Sequence, residues 1–142
     1  MRDLMNNIAV KPVIVPVAAA ITDNTAQVGA IIDRAGYETL TYVIETGTLV
    51  DVDATFAVTL DEGDAANLSD ASAVAAVDLV GTYALAAFTF AADSACRKLG
   101  YKGGKRYTRL TITPSANTGL APMVAIAILG SPTSAPTANP PA

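Results

Sequence analysis

The stretch Lys105-Arg106-Tyr107-Thr108-Arg109-Leu110-Thr111-Ile112-Thr113-Pro114 constrains the fold more than any other part of the chain. Arg106, Thr108, Leu110 and Ile112 alternate with Tyr107, Arg109, Thr111 and Thr113. Period-two alternation rich in β-branched and aromatic residues marks a half-buried strand. Gly103-Gly104 punctuates its start and Pro114-Ser115-Ala116-Asn117 its end. A second run, residues 123–129, is apolar throughout, with Gly119 between the two. The pair reads as consecutive antiparallel strands of one sheet, the second central and buried on both faces.

Other stretches extend the pattern. In residues 37–46, Leu40, Tyr42 and Ile44 share one face; in residues 55–60, Phe56, Val58 and Leu60 point inward. Residues 27–33, 78–83, 88–90 and 95–101 read as short strands, and residues 65–76 as a loop or one marginal helical turn. Residues 13–17 have strand composition, but Pro16 confines them to a sheet edge or an arm. About seven to nine short strands with turns between them predict an all-β antiparallel sandwich or jelly roll with little helix. The expected core is Leu40, Tyr42, Ile44, Phe56, Val58, Leu110, Ile112, Val124, Ile126 and Ile128. The expected division is an N-terminal arm at residues 1–12, a sandwich domain at 13–130 and a Pro-rich arm at 131–142.

Composition narrows the function classes. Charged residues are 15% of the chain, against roughly 25% in an average soluble domain. So little surface that must stay wet predicts that other protein covers part of it. There is no His, which removes the usual general base and the commonest metal ligand, and no enzymatic role is assigned. Cys96 is alone, cannot form an internal disulfide, lacks a His to activate it, and is expected as a small buried apolar residue. A net charge of −4 argues against nucleic acid as a partner. No apolar run reaches the ~18 residues of a membrane span. Residues 8–21 end in Ala18-Ala19-Ala20, but Lys11, Pro12 and Pro16 interrupt them, so no secretion signal is expected.

Candidate sites are few. Gly100 to Lys105 is one residue too short for a phosphate-binding loop, and Arg106 stands where a magnesium-binding Ser or Thr belongs. Asp51-Val52-Asp53 and Asp61-Glu62-Gly63-Asp64 carry calcium-type oxygens at a spacing that fits no EF-hand. No pair of carboxylates stands out for hydrolysis. No metal, cofactor or catalytic residue is therefore assigned. Charge layout is more informative. Six of the nine basic residues are Arg97, Lys98, Lys102, Lys105, Arg106 and Arg109, and ten of the thirteen acids lie between Arg34 and Arg97. The six form a candidate docking surface for a neighbour with complementary charge, or a basic edge that discourages edge pairing.

The opening Met-Arg-Asp-Leu, Thr22-Asp23-Asn24-Thr25-Ala26, Ile31-Ile32-Asp33-Arg34, the stretch from Lys105 to Pro114 and the closing Pro-Thr-Ala-Asn-Pro-Pro resemble a family of small tailed-bacteriophage and prophage proteins. The resemblance covers most of the chain. It implies a virion structural protein, first a capsid decoration (cement) protein made in the host cytoplasm and placed on the capsid exterior. The implied partners are the major capsid protein and the chain itself, as a dimer or trimer. Neck, tail or head-spike placement is the alternative within that class. From another class, a carbohydrate-binding surface sandwich would want exposed aromatics, which a chain with no Trp and five Tyr supplies poorly.

Six of the eight prolines, among them Pro12, Pro16, Pro132, Pro136 and Pro140, fall in the terminal segments. Proline restricts the free chain, so docking an extended segment loses less entropy. These prolines are candidate arm contacts, with at least one arm expected to lie across a neighbouring subunit.

Overall fold

A computed structural model describes residues 3–16 and 21–141. Its strands are β1 (Ile8–Ile14), β2 (Gln27–Val28), β3 (Ile32–Asp33), β4 (Tyr37–Thr46), β5 (Thr55–Gly63), β6 (Ser72–Ala73), β7 (Leu79–Val80), β8 (Phe88–Thr89), β9 (Cys96–Tyr101), β10 (Tyr107–Ser115) and β11 (Met123–Pro132), with one short α-helix, α1 (Tyr83–Ala86), and 3-10 turns at Met5–Asn7 and Ala76–Asp78. One sheet runs β1-β11-β4-β9-β7. In the other, β10 pairs with β5; β2 and β3 add to the free side of β10, and β6 and β8 to the free side of β5. All pairings are antiparallel.

Counting β2 with β3, and β6 with β8, as single interrupted strands leaves eight positions, with β7 an extension beyond β9. Their orders, 1-8-3-6 and 2-7-4-5, are those of a jelly roll. Apart from β5 to β6, successive strands belong to opposite sheets. This corrects the expectation that residues 107–115 and 123–129 pair with each other. They are interior strands of the two different sheets.

The phase of β10 is as predicted: Thr108, Leu110 and Ile112 are fully buried. Leu40, Tyr42, Ile44, Phe56 and Val58 are buried too, and the Phe56 and Phe88 rings stack with centroids 4.7 Å apart. The inward face of β11 is the reverse of the expected one. Met123, Ala125, Ala127 and Leu129 point in, while Val124, Ile126 and Ile128 are half-buried on the outer face. The register explains the choice. Ala125 lies beside Ile44 and Ala127 beside Tyr42, so the small side chains leave room for large neighbours within one layer.

Residues 27–33 do not make one strand. β2 and β3 each follow β10, but between them the chain moves toward β1. Gly29 N–H donates to the Leu110 carbonyl at 2.8 Å, and Ala30 N–H to the Val13 carbonyl at 2.9 Å. Two adjacent residues thus bond one to each sheet and close that side of the sandwich. A Cβ at Gly29 would lie 2.6 Å from Val13 Cγ1 and 2.7 Å from the Leu110 oxygen, so this close approach requires glycine.

The expected boundaries at residues 12 and 130 also shift. Residues 8–12 belong to edge strand β1, with Pro12 opposite Ile126 and an irregularity before Ile14. Val17, the last residue of the strand expected at 13–17, lies outside the described residues. β11 continues to Pro132, and the following segment turns back along the chain's own N-terminal part. Thr133 N–H donates to the Gly36 carbonyl at 2.9 Å, Thr137 N–H to Asn6 at 3.0 Å and Thr137 Oγ1 to the Ile8 carbonyl at 2.6 Å. Residues 65–76 are turns leading into β6, as expected. The helical turn falls later, at α1, where Thr82 Oγ1 caps it by accepting from Leu85 N–H at 3.1 Å.

Candidate docking surface

The six basic residues proposed as a docking surface do not form one patch. Arg97 and Lys98 lie on β9 in one sheet; Arg109 lies on β10 in the other. Three are paired within the chain. Lys105 Nζ is 2.6 Å from Asp64, Arg106 holds Asp33 through two bonds of 2.9 and 2.7 Å, and Arg109 is 3.5 Å from Asp61. Antiparallel pairing of β5 with β10 sets Asp61 opposite Arg109. The fold thus brings acids from the basic-free stretch onto the basic stretch. Arg106 beside Asp33 holds its carboxyl below the ordinary value of 3.8. Arg97 reaches the Leu85 carbonyl at 3.4 Å. Lys98 and Lys102 are exposed, and neither takes part in the described ion pairs.

Tyr101 anchors the turn between β9 and β10. Its phenol donates to Glu62, accepts from Lys105 N–H at 3.0 Å, and carries the Arg34 guanidinium 5.0 Å above its ring. Burial, followed by the Glu62 contact, pushes this phenol up to about 12. The acidic turns are likewise occupied by the chain. Asp51 accepts from Thr118 N–H at 2.7 Å, Thr118 Oγ1 at 2.8 Å and Asp53 N–H at 3.0 Å, which lowers its pKa. Among the described residues, no group of three or more Asp, Glu or Cys is placed to hold a metal ion, and no helix is long and apolar enough to cross a membrane.

Cys96 is exposed rather than buried, a correction: it opens β9 on the outer side of its sheet. The arm candidates are scattered. Pro12 sits in β1 and Pro132 ends β11 opposite Tyr37, whereas Pro136 and Pro140 are exposed in the returning tail. Pro16 lines a recess of about 320 Å³ with Ile14, Ile21, Pro122 and Val124.

The informative surface is the contrast between the two outer faces. On the sheet containing β5 and β10, the outward residues include Thr55, Ala57, Thr59, Thr111 and Thr113, with the Arg109–Asp61 pair and the exposed Val28 beside Thr111. Threonine hydroxyls suit a face left in water. On the other sheet, register sets Val10, Ile128, Thr41, Gly100 and Val80 in one row across five strands. Pro12, Ile126, Val43 and Lys98 make the next row, and Val124, Glu45 and Cys96 a third. Val10 is 38% and Val80 59% exposed, and Val43, Val124, Ile126 and Ile128 are half-buried. Contiguous exposed apolar faces are candidate interaction sites. Aromatic platforms are scarcer: Tyr42 and Tyr101 are buried, Tyr37, Tyr83 and Tyr107 are half-buried, and Phe90 is exposed.

Sequence reasoning placed Val43 on the outside but assigned Val124, Ile126 and Ile128 to the core. The usable signal was the alternation of alanine with β-branched residues along β11. No protein-family model and no curated protein matches the chain.

Proposed function

We propose that this chain is a virion structural protein of a tailed bacteriophage or prophage, a capsid decoration protein that sits on the outside of the shell and stabilises contacts between major capsid subunits. The observation that carries this reading is the unequal pair of faces: a threonine-rich face suited to solvent and an aliphatic face suited to burial against protein. The jelly-roll order supplies a two-sheet module that presents such a face. Support also comes from the resemblance of residues 105–114 and the shorter stretches described above to small prophage proteins. The carboxylates of Asp33, Asp51, Asp61 and Asp64 are engaged with partners in the chain, which suits a scaffold better than acid–base chemistry.

Quantitative mass spectrometry of purified particles tests the reading. Decoration requires a copy number comparable with that of the major capsid protein, and particles lacking the chain should rupture at lower temperature. A few copies per particle would move the chain to the neck, tail or a head spike. Absence from particles would end the virion reading.

A further inference from the structure

The aliphatic face carries one feature that selects its occupant. Among its three rows there is one acid, Glu45, and one base, Lys98, and neither takes part in the described ion pairs. They lie on neighbouring strands: Lys98 is directly across from Val43, and Glu45 directly across from Cys96. These four residues form a square with Lys98 and Glu45 on one diagonal and Val43 and Cys96 on the other.

A two-fold contact needs a patch that is its own complement. This face meets the condition. A two-fold axis lying in the plane of the face and running over the Val43–Cys96 diagonal exchanges the other two corners. Lys98 of each copy then lies over Glu45 of the other, and the axis continues over Ile128. The two sheets then cross steeply, Val43 and Ile128 of one copy meet the same residues of the other on the axis, and each charge meets its opposite.

We propose that the outer face of the β1-β11-β4-β9-β7 sheet binds a second copy of this chain, sheet on sheet, with reciprocal Lys98–Glu45 pairs across a two-fold axis. The proposal rests on the reading of this face as one that protein covers, and it names the protein. Two such faces stack at about 10 Å, giving a four-layer dimer. The contact spans about four strands by three rows, at the small end of specific interfaces, so a dissociation constant on the order of micromolar is expected. The threonine-rich faces of both copies remain outward, in solvent.

The geometry brings the two Cys96 thiols close to the axis, and each is the only thiol of its chain. Sedimentation equilibrium of the full chain and cross-linking with a short bis-maleimide test the proposal together. The wild type should dimerise at micromolar concentration and cross-link through Cys96. Lys98→Glu and Glu45→Lys should each weaken dimerisation on the order of tenfold, because two attractive pairs become two repulsive ones. The double exchange Glu45→Lys with Lys98→Glu should restore it, since the face is again its own complement. Circular dichroism of each variant verifies that it folds.

A monomer throughout the micromolar range, or a dimer indifferent to both single exchanges, would overturn the proposal. Weakening by each exchange without rescue by the pair would also overturn it, and would assign the face to a different protein. Failure of the virion reading looks different: the dimer forms and responds as stated, while the chain is missing from particles.

Discussion

The hydroxyls of Tyr42 and Thr108 meet at 2.7 Å across the middle of the core, one from each sheet, and both residues are fully buried. This bond joins the two layers at a point that water does not reach, and burial pushes the Tyr42 phenol well above its ordinary value. Tyr42→Phe leaves the Thr108 hydroxyl without its partner and is expected to cost about 1–3 kcal/mol. Adding Thr108→Val removes the stranded group, so the double variant should lose less than the two single losses combined. Urea denaturation of the four proteins measures this coupling.

Neighbouring residues on β11 should respond in opposite ways. Ala127 faces the core beside Tyr42, so Ala127→Leu overpacks it and should cost about 1–3 kcal/mol. Ile126 faces outward, and Ile126→Thr should change the folding stability of the monomer by only about 0.5 kcal/mol. Denaturation in dilute solution checks both.

Gly29→Ala places a methyl group against a backbone carbonyl and Val13, where little can give. The expected loss is roughly 1–3 kcal/mol, with the amide protons of Gly29 and Ala30 exchanging faster. Hydrogen exchange followed by mass spectrometry would locate the effect on that side of the sandwich.

The Asp33–Arg106 pair makes stability depend on acid in a stated direction. The folded carboxyl titrates below its ordinary 3.8, so its contribution is fully present above that pH and is lost as pH falls through the lower folded value. Melting curves of the wild type and Asp33→Asn should therefore separate near neutral pH and converge in strong acid. The same rule runs the other way for Tyr101. With its phenol raised from 10.0 to about 12, its contribution is present below pH 10 and is lost as pH rises toward 12. Tyr101→Phe should flatten that alkaline decline.

Thr137→Val removes the bond from the tail to the Ile8 carbonyl while keeping the backbone bond to Asn6. Amides at the start of β1 should exchange faster, with global stability changed by less than about 1 kcal/mol. Unchanged protection there would mean that the tail does not hold this end of the edge strand.

The strands were legible where one face is apolar and the other polar. Tyr37–Thr46 and the 107–115 segment have that contrast, and both their extent and phase follow from it. Along β11 both faces are apolar, so periodicity supplies no phase; the decision depends on the volumes of Tyr42 and Ile44 in the adjacent strand. The charge pairs were illegible for another reason. Arg109 and Asp61 are 48 residues apart, and only the β5–β10 register brings them together. What looked like a basic surface in one dimension is half of a set of internal pairs in three. The aliphatic docking face was hidden by the same ambiguity that hid the phase of β11.

The alternation of strands between sheets also governs how the module can form. Apart from β2 to β3 and β5 to β6, successive strands hand the chain to the opposite layer, so no contiguous half of the sequence contains a complete sheet. β1 waits for β11, more than 100 residues later, before it has a strand partner. Loops of this length must close before any ladder rewards the closure, which places folding among slow, non-local reactions on the millisecond-to-second scale. A ribosome-bound fragment ending before residue 123 lacks the centre of one layer, and its exposed strands have nothing native to join. The last ten or so residues of the fold to be synthesised are the ones that decide whether the rest is a protein.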